Sequence, residues 1–261
     1  MKSKLSIVKV GGKLIDEPLK LKAFLADFAA LPSPKILVHG GGKAATAMSK
    51  QLGIPSQMVE GRRITSDKEL EVVTMVYAGL INKNIVAELQ HQGCNALGLS
   101  GADAQVILSK KRAVGAIDYG WVGDIEQVNN QMIASFLSQG LSLVFSAIGH
   151  NGQGQLLNTN ADTIAAEIAI AMSEEYDSEL IYCFEKKGVL QSVTDEDSVI
   201  ESIDAAKYQQ LKAAGIINEG MLPKLENCFH ALQQGVQSVK VGNELLIHDF
   251  QQVHTHLSLS L

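Results

Sequence analysis

The sequence predicts an α/β fold built around a mostly parallel sheet. Short runs rich in β-branched residues alternate along the chain with longer amphipathic stretches, and this alternation is the signature of βαβ units. Two of the short apolar runs end directly in glycines, as strands do where a tight turn leads into a helix. The 261 residues suffice for one large domain or for two lobes that share a sheet.

The elements follow from this alternation in chain order. The first are a strand over residues 5–10, a helix over 19–31, a strand over 36–38 and a helix over 44–52. Further strands are predicted over residues 95–99, 143–147, 180–184 and 238–241. Further helices are predicted over residues 67–92, 130–139, 161–172, 204–214 and 222–234. Residues 106–128 are turn-rich and predict a hairpin excursion. We divide the chain into an N-terminal lobe, residues 1–173, and a C-terminal lobe, residues 174–261.

The charge distribution argues against a nucleic acid or a membrane surface as the main partner. The net charge is −6, and the lysines and arginines are scattered, whereas polyanionic partners select dense basic patches. The first apolar stretch is interrupted by Lys9 and two glycines, so it predicts neither a signal peptide nor a spanning helix, and the cytoplasm is the expected location. The three cysteines form no CxxC pair and are expected to be reduced, without a metal site.

The two strand-to-glycine junctions predict sites for anionic groups. Lys9 stands just before Gly11 and Gly12, and the second run ends in three glycines at positions 40–42. Glycine lets backbone amides approach a ligand closely, and a following helix adds the positive end of its dipole. Because a lysine lies beside one of these turns, phosphate is the leading ligand.

Other interpretations of the second turn remain open. Residues 40–45 also match the G-x-G-x-x-A pattern of dinucleotide sites, with Glu60 at the spacing of the ribose-binding acid. A dinucleotide turn is the first βα turn of its sheet, however, and here another glycine turn precedes it. A purely structural tight turn is the third alternative. A Walker A loop fails, because Ala44 follows Lys43 where Ser or Thr should bind Mg²⁺.

Two later segments carry further polar groups at predicted helix starts. Asn158 and Asp162 lead into the apolar helix over residues 161–172, where the simplest role of Asp162 is an N-cap. Near the C-terminal end, Pro223 is expected in the first turn of a helix, with Lys224 directly behind it. A lysine is unfavourable against the helix dipole there unless an anion is also present.

Taken in order, these segments resemble the amino acid kinase family. The matching segments are VKVGG at 8–12, VHGGG at 38–42, EGRRIT at 60–65, AGLINK at 78–83, GLSGAD at 98–103, GWVG at 120–123, LNTNAD at 157–162 and GMLPK at 220–224. The resemblance implies an open αβα sandwich and a homodimer. It also implies transfer of the γ-phosphoryl group of ATP, with Mg²⁺ held mainly by the nucleotide phosphates, to the side-chain carboxylate of an N-acylated glutamate in arginine biosynthesis.

The resemblance also implies catalytic roles for three residues. Lys9 and Lys224 would stabilise the transferring phosphoryl group from opposite sides, Lys224 nearer the leaving side. Asp162 would hold both ammonium groups in place rather than act as a base. The backbone amides of Gly11 and Gly12 would receive phosphate oxygens.

For the acceptor, the match implies that Arg63 and Asn158 bind the α-carboxylate and the acyl-amide end. Gly41 and Gly42 would add backbone contacts. A guanidinium suits a carboxylate because its donors form a planar fork. The adjacent Arg62 is the alternative, and a solvated surface charge is the simplest role for either arginine.

The nucleotide segment departs from the family pattern. Where the family usually has a Thr-Asp or Ser-Asp pair before a glycine, this chain reads Phe184-Glu185-Lys186-Lys187-Gly188. Glu185 keeps the acid, and Lys186 or Lys187 would serve the ATP phosphates unless they are merely a solvated pair at a turn. The other side of the nucleotide is expected to be lined by Ile216, Ile217 and Asn218.

Two functional alternatives stay open on the sequence alone. No residue decides between an N-acetyl and an N-succinyl acceptor. The altered segment at 184–188 also leaves room for a non-catalytic sensor of amino acids or nucleotides on the same fold.

Overall fold

The computed structural model describes residues 2–59, 61–217 and 221–260. In chain order its strands are β1 (Ser3–Val10), β2 (Lys35–His39), β3 (Gln57–Val59), β4 (Arg62–Ile64), β5 (Ala96–Leu99), β6 (Ile107–Lys111), β7 (Gly123–Val128), β8 (Ser142–Ser146), β9 (Ile148–His150), β10 (Leu156–Asn158), β11 (Tyr176–Cys183), β12 (Ser202–Ile203), β13 (Ser238–Gly242) and β14 (Thr255–Leu257). Within these described ranges, eight strands form a central sheet in the order β12-β14-β13-β11-β1-β2-β8-β5. Its neighbours pair in parallel, apart from β13 with β14. The predicted α/β fold with a mostly parallel sheet is confirmed.

Two groups of helices cover this sheet. In chain order the α-helices are α1 (Gly12–Ile15), α2 (Pro18–Ala30), α3 (Gly42–Gln51), α4 (Asp67–Val73), α5 (Asn82–His91), α6 (Asn130–Ser138), α7 (Ala161–Met172), α8 (Ala205–Ala213) and α9 (Leu222–Gln233). Helices α6 and α9 contact α7, which packs on β1, β2 and β11. Helices α2 to α5 form a second contacting group, in which α5 packs on β5 and β8.

The predicted excursion over residues 106–128 is a hairpin of β6 and β7. It belongs to a second sheet, whose strand order is β10-β9-β6-β7. Strands β9 and β10, which complete this sheet, were not expected, since three-residue strands carry too little periodicity to be recognised. A separate hairpin joins β3 and β4, and Arg63 lies on its second strand.

Residues Asp67–His91 form one continuous helical stretch with a π-helix, Thr74–Ile81, between α4 and α5. By length and composition this stretch passes the test for a membrane span, with a mean hydropathy of 1.2. Its apolar side chains, however, pack into the core: Val72, Ile85 and Leu89 are almost completely buried. Helices that form the core of a globular fold pass the same test, so the stretch is explained as a core helix.

The parallel strands bring both predicted glycine junctions to one edge of the sheet. Val10 at the end of β1 is in register with His39 on β2 and with Cys183 on β11. The chain leaves β1 through Gly11, whose amide donates a hydrogen bond of 2.9 Å to the carbonyl of Cys183. Ligands of open α/β sheets bind outside these carboxyl ends of the strands.

Strand β11 begins four residues earlier than the apolar run predicts. Its first residues include Ser178 and Glu179, which are buried in register with Leu5 and Ser6. Glu179 is tolerated because its carboxylate pairs with Lys240 Nζ at 2.7 Å. A buried charge needs such a partner, and that partner is too distant in sequence to be recognised beforehand.

Candidate active site

Two cavities lie at the carboxyl edge of the sheet. The lysine cavity has a volume of about 350 Å³ and is lined by Lys9, Gly11, Gly12, Lys13, Leu14, Phe184, Glu185, Lys186, Gly188, Met221 and Lys224. The arginine cavity, of about 200 Å³, is lined by Gly40, Gly41, Gly42, Met58, Gly61, Arg62, Arg63, Tyr77, Arg112, Val122, Ala147, Asn158, Thr159, Asn160 and Ala161. The fold therefore gathers most of the residues selected from the sequence into two adjacent groups.

An ion pair joins the two groups. Lys9 Nζ lies 2.6 Å from Asp162 Oδ1, and both side chains are largely buried. Lys9 lines the lysine cavity, whereas the residues just before Asp162 line the arginine cavity. A short contact between opposite charges in a partly dry site restricts both side chains to one geometry.

The cap of α7 explains why the carboxylate of Asp162 is available for this pair. Asn160, not Asp162, is the N-cap: its Oδ1 accepts hydrogen bonds from the amides of Asp162 (2.8 Å) and Thr163 (3.1 Å). The simplest sequence role of Asp162 is thus wrong, because a neighbour performs the capping. Asp162 lies in the first turn of α7, where the helix dipole favours a negative charge.

Lys224 lies in the first turn of α9, behind Pro223. Burial lowers the pKa of its ammonium group, and the neighbouring charge of Lys9 lowers it further, while Asp162 opposes the shift. Its Nζ lies 4.0 Å from the ring centroid of Phe184. Among the described residues Asp162 makes its ion pair with Lys9 alone, so it acts on Lys224 at longer range.

Arg63 is almost completely buried, with 5% of its surface exposed. Its guanidinium donates to Glu69 Oε2 at 2.8 Å, to the Gly42 carbonyl at 2.8 Å and to Thr46 Oγ1 at 2.6 Å, and it also contacts Ser56 Oγ. These partners fasten the arginine to the glycine turn at the start of α3. Arg62 lines the same cavity but is exposed.

Gly41 shows why this turn must be glycine. Its φ of +154° is disfavoured for side-chain-bearing residues, and a Cβ there would lie 2.4 Å from Ile81 Cδ1 and 2.9 Å from Tyr77 Cδ1. The turn is therefore pressed against the π-helix that carries both of those residues. π-helical segments occur frequently at functional sites.

Asn158 ends β10 and is buried on the wall of the arginine cavity. Its side-chain Nδ2 donates to Thr65 Oγ1 at 3.0 Å, and its backbone amide donates to the Trp121 carbonyl at 2.9 Å. These bonds connect the GRRIT, GWVG and LNTNAD segments, which are far apart in the chain.

Two other residues of the arginine cavity were not selected from the sequence. Tyr77 reaches it from the π-helix, and burial raises the pKa of its phenol while Arg63 opposes that shift. Arg112 reaches it from the loop after β6, with Nε 3.0 Å from Asp124 Oδ1. Tyr77 stands in an apolar helical run, so nothing local distinguished it from core residues. Arg112 and Asp124 pair across the β6–β7 hairpin, and the predicted hairpin was the only, weak sequence signal that they would lie close together.

The residues expected at the nucleotide are divided between the lysine cavity and a neighbour. The apolar cavity, of about 110 Å³, is lined by Lys186, Gly188, Val189, Leu190, Val193, Ile216, Ile217 and Met221. Glu185 pairs with Lys13 at 3.2 Å on the lysine cavity. Lys186 pairs with Glu196, and Lys187 pairs with Asp197 at 2.5 Å. Asn218, which was expected here, lies outside the described residues.

Comparison with known proteins agrees with the resemblance read from the motifs. A profile of the amino acid kinase family matches residues 4–243. A protein of Cytophaga hutchinsonii named acetylglutamate kinase is 56% identical over 237 residues, which cover 90% of each chain. An acetylglutamate kinase of Bacteroides fragilis is 53% identical over 248 residues, 95% of each chain.

The solved structures agree as well. The structure of smu.665 from Streptococcus mutans UA159 matches with a TM-score of 0.78 and 25% identity across 100% of both chains. Since the profile covers more than nine-tenths of the chain and the relatives exceed half identity, this chain belongs to the amino acid kinase family.

Proposed function

We propose that this chain is an ATP-dependent kinase that phosphorylates the side-chain carboxylate of N-acetyl-L-glutamate, giving N-acetyl-L-glutamyl 5-phosphate in arginine biosynthesis. The observation that carries the proposal is the Lys9–Asp162 ion pair, which lies beside Lys224 between the lysine cavity and the arginine cavity. The names of the relatives support the same acceptor.

The chemistry requires charge neutralisation and alignment rather than a base. A γ-carboxyl group is already ionised near neutral pH, so the nucleophile needs no proton removed. Bringing this anion to a phosphoryl group is opposed by repulsion, which two ammonium groups reduce. Mg²⁺, when bound with the nucleotide, would supply further neutralisation.

Each of the three residues has its own part in this scheme. Lys9 and Lys224 would contact the transferring phosphoryl oxygens, Lys224 on the leaving side. Asp162 would hold Lys9 by direct contact and favour the charged form of Lys224 at longer range. The amide of Gly12, at the start of α1, would receive phosphate oxygens, whereas Gly11, whose amide already donates to a strand carbonyl, would let the nucleotide approach the backbone closely.

The arginine cavity would hold the acceptor. Arg63 is proposed to attract the α-carboxylate and Asn158 to bind the acyl-amide end, with Gly41 and Gly42 giving backbone contacts. The partners of Arg63 include the Gly42 carbonyl, so the arginine would also hold the turn that forms one wall. The relatives' names favour N-acetylglutamate over the N-succinyl compound as acceptor.

The nucleotide would extend from the lysine cavity to the apolar cavity. Ile216 and Ile217 offer an apolar wall for a base, Asn218 is proposed to join them, and Glu185 is a candidate for the ribose. Gly188 and Lys186 line both cavities, which suits the sugar and phosphates. Lys187 is proposed as a more distant contributor because it faces Asp197.

We further propose a cytoplasmic homodimer with two lobes. The strands after residue 173 form one half of the central sheet and the strands before it form the other, which suits an acceptor lobe, residues 1–173, and a nucleotide lobe, residues 174–261. Exposed Met75 and Leu80 on the π-helix offer apolar surface for a second copy. Free, buried cysteines suit a reducing compartment.

A hydroxylamine-trapping assay tests the proposed function. With MgATP and N-acetylglutamate, the acyl phosphate should form and be trapped as a hydroxamate, whereas free glutamate and aspartate should give little. A higher kcat/KM for N-succinylglutamate would overturn the acceptor. Tight ligand binding without turnover would instead identify a sensor, and a rise in Tm with NAD but not with ATP would favour a dinucleotide site.

A further inference from the structure

Phe184 lies where the chain departs from the pattern at the nucleotide, and the proposed mechanism assigns it no part. Its backbone amide donates to the Gly242 carbonyl at 2.7 Å, which fixes the residue just beyond the end of β11. Its side chain lines the lysine cavity between the two lysines. The ring faces two ammonium groups and also packs against the edge of the apolar core.

Both ammonium groups contact the ring. Lys224 Nζ lies 4.0 Å from the ring centroid and Lys9 Nζ lies 5.2 Å from it. Cations within about 6 Å of an aromatic centroid are attracted by the negative face of the ring. Lys9 also forms an ion pair with the Asp162 carboxylate. For the ammonium group of Lys224, the contact that the structure describes is the one with the ring of Phe184.

The ring itself is held rigidly. Phe184 stacks on Tyr182 with centroids 5.6 Å apart and planes 15° apart. Tyr182 is fully buried, and its Oη donates to the backbone carbonyl of Asp162 at 2.9 Å. The aromatic pair therefore connects both lysines with the acid that orients Lys9.

A neutral ring suits this position better than a further carboxylate would, because Asp162 and Glu185 already favour the charged form of Lys224. The charge of Lys9 lowers the pKa of Lys224, so the two ammonium groups repel each other. A further carboxylate would hold Lys224 but would also cancel charge needed by the phosphoryl group. The attraction of a ring face is weaker than an ion pair, so it orients the ammonium group and still releases it to incoming phosphate oxygens.

We propose that Phe184 is a positioning residue for phosphoryl transfer, whose ring face holds the ammonium groups of Lys9 and Lys224 in the lysine cavity. The proposal rests on the kinase activity proposed above. It differs from a packing role because it requires an aromatic face, not just an apolar side chain of similar size.

Three variants test it by steady-state kinetics with MgATP and N-acetylglutamate. Phe184→Leu keeps apolar bulk without the ring and should lower kcat about tenfold, with both KM values within about twofold. Phe184→Tyr keeps the ring and should restore most of the lost kcat. Phe250→Leu is the matched control, because it also removes a ring that contacts an ammonium group: Lys240 Nζ, on β13, lies 4.6 Å from the Phe250 ring centroid. Neither residue lines the lysine cavity or the arginine cavity, so the kcat of Phe250→Leu should match that of the wild type.

The proposal is overturned if Phe184→Leu keeps its kcat within about twofold of wild type. It is also overturned if Phe184→Tyr loses as much as Phe184→Leu, or if only KM changes. A second readout does not depend on turnover: ring currents should shift the NMR signals of the Lys224 methylene next to Nζ upfield in the wild type, but not in Phe184→Leu. An unshifted wild-type signal would refute the contact even in a protein without kinase activity.

Discussion

Asn160 caps the helix that carries Asp162, accepting hydrogen bonds from the amides of Asp162 at 2.8 Å and Thr163 at 3.1 Å. Because the Asn160 side chain caps the helix, the Asp162 carboxylate is not needed as a cap and contacts Lys9 Nζ at 2.6 Å. The cap and the proposed catalytic acid are thus two residues apart at the start of α7, and the cap fixes the first turn, on which the acid lies.

Removing this cap should affect both stability and turnover. Asn160→Ala should lower the free energy of unfolding by about 1 kcal/mol, because the first-turn amides lose their acceptor. It should also lower kcat, because Asp162 loses its fixed position, whereas Asn160→Ser should preserve most of both. Urea denaturation and the hydroxamate assay measure the two effects. If the Asn160→Ala protein were destabilised but kept the wild-type kcat, the claim that the cap positions Asp162 for catalysis would be contradicted.

The adjacent arginines should differ sharply in importance. Arg63 has a buried guanidinium with at least four partners, whereas Arg62 is exposed. Arg63→Lys cannot reproduce that set of contacts, so we expect the KM for the acylglutamate to rise about tenfold or more and the Tm to fall. Arg62→Lys is the matched control and should stay near wild type. A larger rise in KM for Arg62→Lys would reverse the assignment.

Buried His39 should make stability depend on pH below neutrality. Burial lowers the pKa of its imidazole from 6.5 to about 4, and the ring is held neutral between the Gly40 carbonyl and the Asn82 amide. As pH falls from about 6.5 towards 4, the unfolded chain binds a proton that the folded protein excludes, so the free energy of unfolding falls by roughly 3 kcal/mol. Above pH 6.5 this contribution vanishes.

The experiment compares the wild type with His39→Asn by chemical denaturation at pH 7.5 and pH 4.5. The wild type should lose roughly 2–3 kcal/mol more than the variant over this interval. An NMR titration gives an independent check, in which the His39 ring should remain neutral at pH 5.5. Equal pH dependence of the two proteins, or a protonated ring at pH 5.5, would contradict the prediction.

Lys224 is expected to contribute mainly to the chemical step. Lys224→Met removes the charge while keeping an apolar chain of similar length, and the loss of one electrostatic donor typically lowers kcat about 10²–10³-fold. The KM for N-acetylglutamate should change little, because that substrate is assigned to the arginine cavity. Lys212→Met, which removes an exposed pair with Glu226 and a cation–π contact with Tyr208 away from the cavities described above, is the control. A Lys224→Met variant with normal kcat would remove the lysine from the mechanism.

Much of this fold could be predicted because short local sequence patterns determine its strands and turns. Runs such as residues 5–10 and 36–38 are apolar apart from Ser6 and Lys9, so the strands were recognised at close to their observed bounds. The glycines at 11–12 and 40–42 marked both turns, because close backbone approach requires them. The order of the motifs then indicated the family.

What could not be predicted depends on contacts between distant segments. The π-helix at Thr74–Ile81 has the same apolar composition as an ordinary helix, so its changed register, which brings Tyr77 to the arginine cavity, had no local signal. From the sequence, Phe184 could be recognised only as a replacement for the usual Thr or Ser of the family. Its contacts with the two lysines could not be predicted, because the lysines come from β1 and α9, far away in the chain. The assignment of the cap to Asn160 required the geometry of the turn.

The most direct test of the central claim is the kcat of Asp162→Asn, measured by hydroxamate trapping beside equilibrium binding of ATP and N-acetylglutamate. If Asp162 holds Lys9 for phosphoryl transfer, kcat should fall by about 10² or more, while both dissociation constants stay within a few-fold of wild type. A variant that turns over at the wild-type rate, or that loses binding in proportion to its activity, would contradict the account.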